Sequence, residues 1–343
     1  MLTDLNTPAI AAIMAAAAAV ILLCGLRMTT LADRIADRTG LGEALIGGVL
    51  LGAATSLSGA VVSLTSALNG HASLAFANGI GGIAAQTAFL AIADLVYRRA
   101  NLEHAAAELA NVFQCGLLIV LLAIPFLAST TPEVTLFAIH PLSFAIPAIY
   151  VAGIVATRRV REFPMWQPIS TDETRLDTPE DEDDARKSPV GLIVTFAVLV
   201  VFLAGAGWTI ARCGVALSDR LGLSETLVGA LMTAVITSLP ELVTTLAAVR
   251  RGALQLAVGG IIGGNSFDTL FLTISDAGYR EGSIYHAVGK TDFFWNAVGL
   301  VMTGVLLLGL LLRQKEGTAR IGFESLLLFL IFGAAIGLQA LWG

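Results

Sequence analysis

Thr55-Ser56-Leu57-Ser58-Gly59 and Thr237-Ser238-Leu239-Pro240-Glu241 are two versions of one pentapeptide, 182 positions apart. The register between them holds without a gap from Asp37-Arg38 against Asp219-Arg220, through Gly40-Leu41 against Gly222-Leu223 and Gly70 against Gly252, to Asp94 against Asp276. The chain is internally duplicated. Each copy lies in strongly apolar sequence, so the pattern reads as a membrane protein of two repeats with its functional site where the repeats meet. Only the second copy carries an acid, Glu241.

Composition fixes the class. Over 343 residues the chain is 56% hydrophobic and 13% charged, with a mean hydropathy of +0.82, which leaves too little polar surface to cover a water-soluble fold. Residues 44–93 contain no Asp, Glu, Lys or Arg, and similar stretches cover 109–132, 134–157, 188–211, 293–312 and 325–343. A helix needs roughly 20 apolar residues to cross the hydrocarbon, and the first stretch holds two such helices separated at Asn69-Gly70-His71. The segments are long, rich in Ala, Leu and Gly, and without sustained alternation, which argues against a β-barrel. The expected fold is an all-α integral membrane protein of ten helices near 8–31, 43–68, 72–97, 106–128, 134–157, 190–217, 225–250, 253–277, 291–312 and 320–341.

Five helices per half is an odd number, so the second repeat enters the membrane in the opposite orientation. With both termini outside, the inner loops receive Arg34, Arg38, Arg98, Arg99, Arg158, Arg159, Arg161, Arg250, Arg251, Arg313, Lys315 and Arg320, while the outer loops keep Arg220, Arg280 and Lys290. This places the chain in a plasma (inner) membrane with its central linker cytoplasmic. The expected organisation is a first repeat over 1–157, a polar linker over 158–188 and a second repeat over 189–343. Residues 1–25 make a poor signal peptide, because Asp4 stands where a basic segment belongs. Residues 170–187 hold eight acids and three bases, nearly all of the chain's net charge of −6. They read as a solvated tether, without the ligand spacing of a calcium loop and without a nucleic-acid partner.

Several chemistries are unsupported. Cys24, Cys115 and Cys213 are isolated within predicted helices, and His71, His104, His140 and His286 lack metal-ligand spacing. The sequence has no HExxH, no phosphate-binding GxxxxGK[ST] and no plausible nucleophile triad. The chain reads as a non-enzyme without a cofactor.

What remains is a short set of polar residues inside apolar helices. Glu241 has no charged neighbour between Thr226 and Val249, and Asp268 none between Gly252 and Ile274. A carboxylate at that depth costs at least roughly 2.5 kcal/mol. No Lys or Arg stands at a matching depth, so the charge calls for a bound cation or a proton; the bland alternative is a pair of protonated acids bridging helices. A turn at Arg250-Arg251-Gly252 folds the two helices antiparallel. Pro240 frees a carbonyl in one of them, and Gly259-Gly260 with Gly263-Gly264 are expected to loosen the other. Freed carbonyls with Thr237, Ser238, Asn265, Glu241 and Asp268 make an oxygen-rich set suited to hard cations such as Na⁺ or Ca²⁺.

The stretch from Gly229 to Phe271, with Thr237-Ser238-Leu239-Pro240-Glu241, Gly252, Leu256-Ala257 and Ile262-Gly263-Gly264-Asn265-Ser266-Phe267-Asp268, resembles the second alpha repeat of the calcium/cation antiporter superfamily, which includes sodium/calcium exchangers. The first repeat is similar in Gly47, Thr55-Ser56-Leu57, Gly70, Leu74-Ala75, Asn78 and Ile80-Gly81. The resemblance implies a ten-helix inverted-repeat antiporter. Its central site would use the Glu of each pentapeptide, the adjacent Thr and Ser groups and an Asn or Asp 27 positions later, and its first and sixth helices would move against the remainder. Here the first repeat departs: Ser58 stands for Pro, Gly59 for Glu, Gln86 for Asn or Asp, and Ile83 for the Asn matched by Asn265. The expected cation ligands are therefore Glu241 and Asp268, assisted by Thr55, Ser56, Thr237, Ser238 and Gln86, whose amide offers a neutral oxygen. Ionised, the two acids carry −2, which matches one Ca²⁺ or two monovalent cations. The expected activity is exchange of Ca²⁺ or another divalent cation against Na⁺ or H⁺. The alternatives are a monovalent exchanger and a non-transporting membrane sensor. Glu43 and Glu225 begin their helices at equivalent positions and read as helix-dipole partners; Asp94 and Asp276 fall near helix ends, outside the core site.

Overall fold

The computed structural model describes residues 5–39, 48–174, 189–317 and 321–342. Its described residues are helical, with one isolated bridge between Leu136 and Ile139. In chain order the elements are α1 (Thr7–Thr39), α2 (Gly48–Leu68), α3 (Ala72–Val96), a short α4 (Leu102–Ala105), α5 (Leu109–Thr130), α6 (Pro141–Glu162) and α7 (Pro189–Leu221). Then come α8 (Glu225–Leu227), a π-helical turn (Val228–Thr233), α9 (Ala234–Thr237), α10 (Leu239–Arg251), α11 (Leu254–Asp268), α12 (Leu270–Gly278), α13 (Ile284–Ala287), α14 (Lys290–Leu312) and α15 (Phe323–Trp342). Eight described helices are long and apolar enough to cross a membrane, and the bent pair Glu225–Thr237 with Leu239–Arg251 makes a ninth span. α2 begins beside residues 40–47, which lie outside the description; so do Glu43 and the acidic run of the linker beyond residue 174.

Burial sorts the helices. In α3 the apolar window is 83% buried, against 28% in α1, α6, α7 and α15, so α3 is the axis of the bundle and the others present apolar side chains outward to lipid. α3 is lined with Gly and Ala because other backbones come against it directly. A Cβ on Gly81 would collide with the Ala230 backbone, and one on Gly229 would stand 2.9 Å from both Ala77 Cβ and Leu74 O.

The two repeats run in opposite directions past each other. Along α3, Gly79 faces Phe271, Gly82 faces Asp268 and Gln86 faces Gly264, so the path forward along α3 runs back through α12 and α11, and Thr87 accepts from Asn265 Nδ2 at 2.9 Å across the same contact. Because α11 and α12 are the repeat of α3, the duplication is inverted. α1 and α7 pack on each other over an apolar cluster of their own, including Ile10, Ile21, Leu203 and Ile210. They cross the two pentapeptides at glycines that are themselves 182 apart: a Cβ on Gly25 would stand 2.6 Å from Pro240 Cγ, and one on Gly207 2.6 Å from Ser58 O.

Some boundaries differ from the sequence reading. The helix expected over 134–157 is α6, Pro141–Glu162. Phe137 and Ala138 adopt positive φ in a turn, and Pro141 then starts the helix, with His140 as N-cap accepting from Leu142 N. Arg158, Arg159 and Arg161 consequently stand in its last turns, where positive charge suits the helix dipole. The glycine pairs expected to loosen the Asp268 helix do not break it. α11 runs through them without interruption and the break falls after Asp268, because the bare glycine surface is used for packing: Gly259 against Asn111 and Gly264 against Gln86.

Candidate functional site

The second pentapeptide sits on a broken span. The π-helical turn at Val228–Thr233 widens the backbone, the helix stops at Ser238 (φ −94°, ψ 3°), and Pro240 restarts it in the first turn of α10, bent by 45° from the preceding segment. A proline belongs there, because the first helical positions have no N–H partner to lose. Glu241 falls in the same first turn, at the positive end of the α10 dipole. Asp268 is the last residue of α11. Each acid therefore sits at a helix junction and is buried, Glu241 just after the 45° bend and Asp268 just before the interruption at Thr269.

The structure brings the seven candidate residues together. Glu241, Asp268, Ser56, Ser238, Thr55, Thr237 and Gln86 are all buried, none more than 5% exposed. Gln86 Nε2 donates to Asp268 Oδ2 at 2.7 Å and to Ser238 Oγ at 3.2 Å, joining the two repeats across the crossing. The Thr55 hydroxyl stands beside Glu241 and the Ser56 hydroxyl beside Asp268. Thr237 donates to Ala234 O at 3.1 Å and turns its oxygen toward Gly59. Both Glu241 oxygens, Asp268 Oδ1 and Gln86 Oε1 are buried without a hydrogen-bond partner. Among the described residues no Lys, Arg or His forms an ion pair with either acid.

Such oxygens are costly to leave unmet. A proton or a hard cation would meet them, and a set of carboxylate, hydroxyl and amide oxygens without sulfur or imidazole suits cations of the Na⁺ and Ca²⁺ type. No three His, Cys, Asp or Glu groups surround one point among the described residues, so the site rests on a carboxylate pair. The place of the missing first-repeat acid is filled: a Cβ on Gly59 would stand 2.8 Å from Phe271 Cε2.

Three features escaped the sequence reading. Asn78 Nδ2 donates to Gly59 O (3.1 Å) and Ser63 Oγ (2.9 Å) and its oxygen accepts from Thr233 (2.8 Å), bracing α2 and α3 against the π-helical turn. Phe271 plugs the first-repeat side of the site. Asp94 and Asp276 are buried and tie helix ends by accepting backbone N–H groups; the repeat register exposed them as a pair, but not what they bind.

A helical bundle of two inverted repeats, with hard oxygen ligands buried at their crossing, is the architecture of a secondary transporter and not of an enzyme. The chain belongs to the sodium/calcium exchanger protein family, whose description matches residues 9–155 and 191–341. It is 25% identical over 315 residues to the protein CaxA of Alkalimonas amylolytica, whose name describes it as an antiporter; the match covers 90% of this chain and 91% of that one. It is 28% identical over 148 residues to the sodium/calcium exchanger MaX1 of Methanosarcina acetivorans, over 41% of this chain and 39% of the relative. Among solved structures it shares the fold of YfkE (TM-score 0.65, 13% identity, 97% of this chain and 92% of that one). The fold is shared too with the H⁺/Ca²⁺ exchanger CAX (0.64, 13%, 96% and 86%) and the sodium-calcium exchanger NCX_Mj (0.58, 15%, 97% and 99%).

Proposed function

We propose that this chain exchanges Ca²⁺, or another hard divalent cation, against Na⁺ or H⁺ by alternating access, with Glu241 and Asp268 as the charged ligands. The observation that carries the proposal is the pair of buried carboxylates, three of whose four oxygens have no hydrogen-bond partner and neither of which is paired with a base among the described residues. Glu241 and Asp268 supply −2. Thr55, Ser56, Thr237 and Ser238 supply neutral oxygens, and Gln86 holds Asp268 with its amide N–H while its own oxygen stays free for a cation. Ca²⁺ balances that charge and leaves nothing for a monovalent cation; two Na⁺ or two H⁺ balance it equally well. The ions thus compete for one charge, which is the requirement for exchange. With Gly59 and Gln86 in the first repeat, a third monovalent cation would be an uncompensated charge in a low-dielectric centre.

Access would alternate by movement of α1 and α7 over the two pentapeptides. They pack on each other over an apolar cluster that also takes in Val62, Leu74 and Val228, and the glycines at the crossings, Gly25 and Gly207, present no side chain to catch. For orientation, the Arg98-Arg99 and Arg250-Arg251 turns line one cleft at one end of the bundle, and a cytoplasmic position for that end follows the positive-inside rule. The reduced acid count also fits a monovalent exchanger, and one assay separates the readings. In proteoliposomes, Ca²⁺ uptake is driven by an outward Na⁺ or an outward H⁺ gradient, with Glu241→Gln alongside. Uptake under one gradient, lost in the variant, is expected and names the coupling ion. No uptake under either gradient by folded protein contradicts calcium exchange and favours the monovalent reading.

A further inference from the structure

A second set of buried carboxylates lies away from the crossing, at the Arg98-Arg99 end of the bundle. Asp94, in the last turn of α3, accepts from the backbone N–H of Leu102 (2.8 Å) and of Gly322 (3.0 Å), holding α3, α4 and the start of α15 together. At the opposite end Asp276 accepts from Ile284 N (2.8 Å) and His140 N (2.7 Å). Leu102 and Ile284, like His140 and Gly322, are 182 positions apart, so the same frame is built twice. The contents differ. The Asp276 frame encloses Ser143, whose hydroxyl donates to Asp276 (2.6 Å) and meets the Tyr285 hydroxyl (2.9 Å), a closed and neutral filling next to Leu142. In the Asp94 frame the repeat-equivalent places hold Ser325, Glu103 and Glu324.

Glu103, Glu324 and Ser325 are completely buried, the two carboxyl groups lie within hydrogen-bonding reach of each other, and no other side chain donates to their four oxygens or pairs with the serine hydroxyl. The charges acting on Glu103 are Glu324 and Asp94, both negative. α11 and α14 bring apolar side chains such as Leu254, Val258 and Leu306 to the α4 corner. The nearby bases are engaged elsewhere: Arg313 donates to Ile169 O, His104 O and Thr174, and Lys315 pairs with Glu173. The backbone is cut away to admit Glu324, because a Cβ on Gly309 would stand 2.6 Å from its Cγ and one on Gly322 would collide with its carboxylate. The crossing site has the same character: buried carboxylate oxygens, most without a donor and none paired with a base. The frame itself does not require acids, since its twin is filled without them.

We propose that Glu103 and Glu324, with the Ser325 hydroxyl, form a second cation site that takes a hard divalent cation of the Ca²⁺ type. Asp94 holds the frame around it. Oxygen ligands alone select such an ion over zinc or copper. Residues 169–174 are fastened to the same end through Arg313, His104 and Glu173, so the site lies where occupancy bears on the docking of the linker. The site is argued separately from the transport assignment and stands whether or not Ca²⁺ is the cargo.

The test is equilibrium dialysis of the purified full-length chain with radiolabelled Ca²⁺, in a Glu241→Gln/Asp268→Asn background that removes the crossing site. About one Ca²⁺ per chain is expected to remain bound there, and adding Glu103→Gln with Glu324→Gln is expected to abolish it. Glu103→Tyr with Glu324→Leu, which installs the residues of the opposite end, should also abolish binding and keep the elution volume of a folded protein. Should both paired replacements fail to fold, Glu103→Gln alone is read, with an expected loss of affinity of about tenfold or more. Absence of Ca²⁺ binding in the Glu241→Gln/Asp268→Asn background overturns the proposal and leaves a carboxyl pair held by a shared proton, with melting that responds to pH and not to Ca²⁺. Undiminished binding in any folded Glu103 or Glu324 variant overturns it equally.

Discussion

The two repeats share a fold and divide the labour. In the first, α2 and α3 are continuous where described, the pentapeptide ends in Ser58-Gly59, and Gln86 is neutral. In the second, the counterpart of α2 is bent by 45° at Ser238 and the counterpart of α3 is interrupted at Thr269 without a comparable bend, and an acid stands next to each. Breaking a helix at membrane depth is tolerated where the freed groups are packed by protein or line a cavity. Charge and the bent backbone coincide: the second repeat has Pro240 and Glu241 where the first has Ser58 and Gly59. The first repeat became a neutral platform, its glycine side plugged by Phe271 and its amide holding Asp268.

The largest expected effect breaks the charged half. Glu241→Gln and Asp268→Asn should each reduce exchange in proteoliposomes to the level of protein-free vesicles while the protein elutes and melts as a folded chain; full flux in both would remove these residues from the mechanism. Next comes restoration of the missing acid. Gly59→Glu forces a side chain into Phe271, an overpacking that costs about 1–3 kcal/mol, and a chain of this size should lose roughly 1–2 °C of melting temperature per kcal/mol. In a Phe271→Ala background the same change should cost less, giving a coupling of about 1 kcal/mol or more in a double-mutant cycle. An additive cycle would show that Phe271 does not occupy the place of the lost acid.

A smaller effect is expected where the moving pair crosses the neutral pentapeptide. Gly207→Ala places a Cβ 2.6 Å from Ser58 O and 3.2 Å from Val61 Cβ, and should slow exchange several-fold with Ca²⁺ affinity little changed. An equal loss of affinity would make Gly207 a packing residue only. The smallest effect concerns the linker. The Lys315 ammonium beside Glu173 holds its carboxyl below the usual range. For a depressed acid the contribution is present above its unfolded pKa and is lost as pH falls through the lower folded value. Amide protection over 169–174, corrected for the intrinsic pH dependence of exchange, should therefore fall by roughly twofold at acid pH in wild type, as expected for an exposed pair, and should not change with pH in Glu173→Gln.

Much of this was legible in the sequence. The 182-residue register and the uncharged stretches gave the inverted helical repeats, and two acids without basic neighbours pointed to the candidate site, because isolated charge in apolar sequence has few physical explanations. Less legible was anything decided by contacts between distant segments. The start of α6 depended on the positive-φ turn at Phe137-Ala138, which no glycine announced. Gly259-Gly260 and Gly263-Gly264 read as weak points, but in a membrane helix glycine serves close packing as readily as bending. The plug by Phe271 had no local signal, since it acts on a residue 212 positions earlier. Glu103 and Glu324 fell outside the apolar stretches, and only the fold sealed them from water.

The central claim is that the second repeat alone supplies the charge of the transport site, a total of −2, so that one Ca²⁺ is exchanged for two monovalent cations. It is tested most directly by measuring Ca²⁺ uptake into proteoliposomes whose membrane potential is clamped with K⁺ and valinomycin. The account predicts electroneutral exchange, with initial rates unchanged between zero and an inside-positive or inside-negative potential of about 100 mV, where each net charge moved is worth about 2.3 kcal/mol. Uptake accelerated by an inside-positive potential and slowed by an inside-negative one would mean that three or more monovalent cations leave per Ca²⁺ and that the first repeat contributes charge the account denies it; the opposite dependence would mean fewer than two, and either contradicts the account.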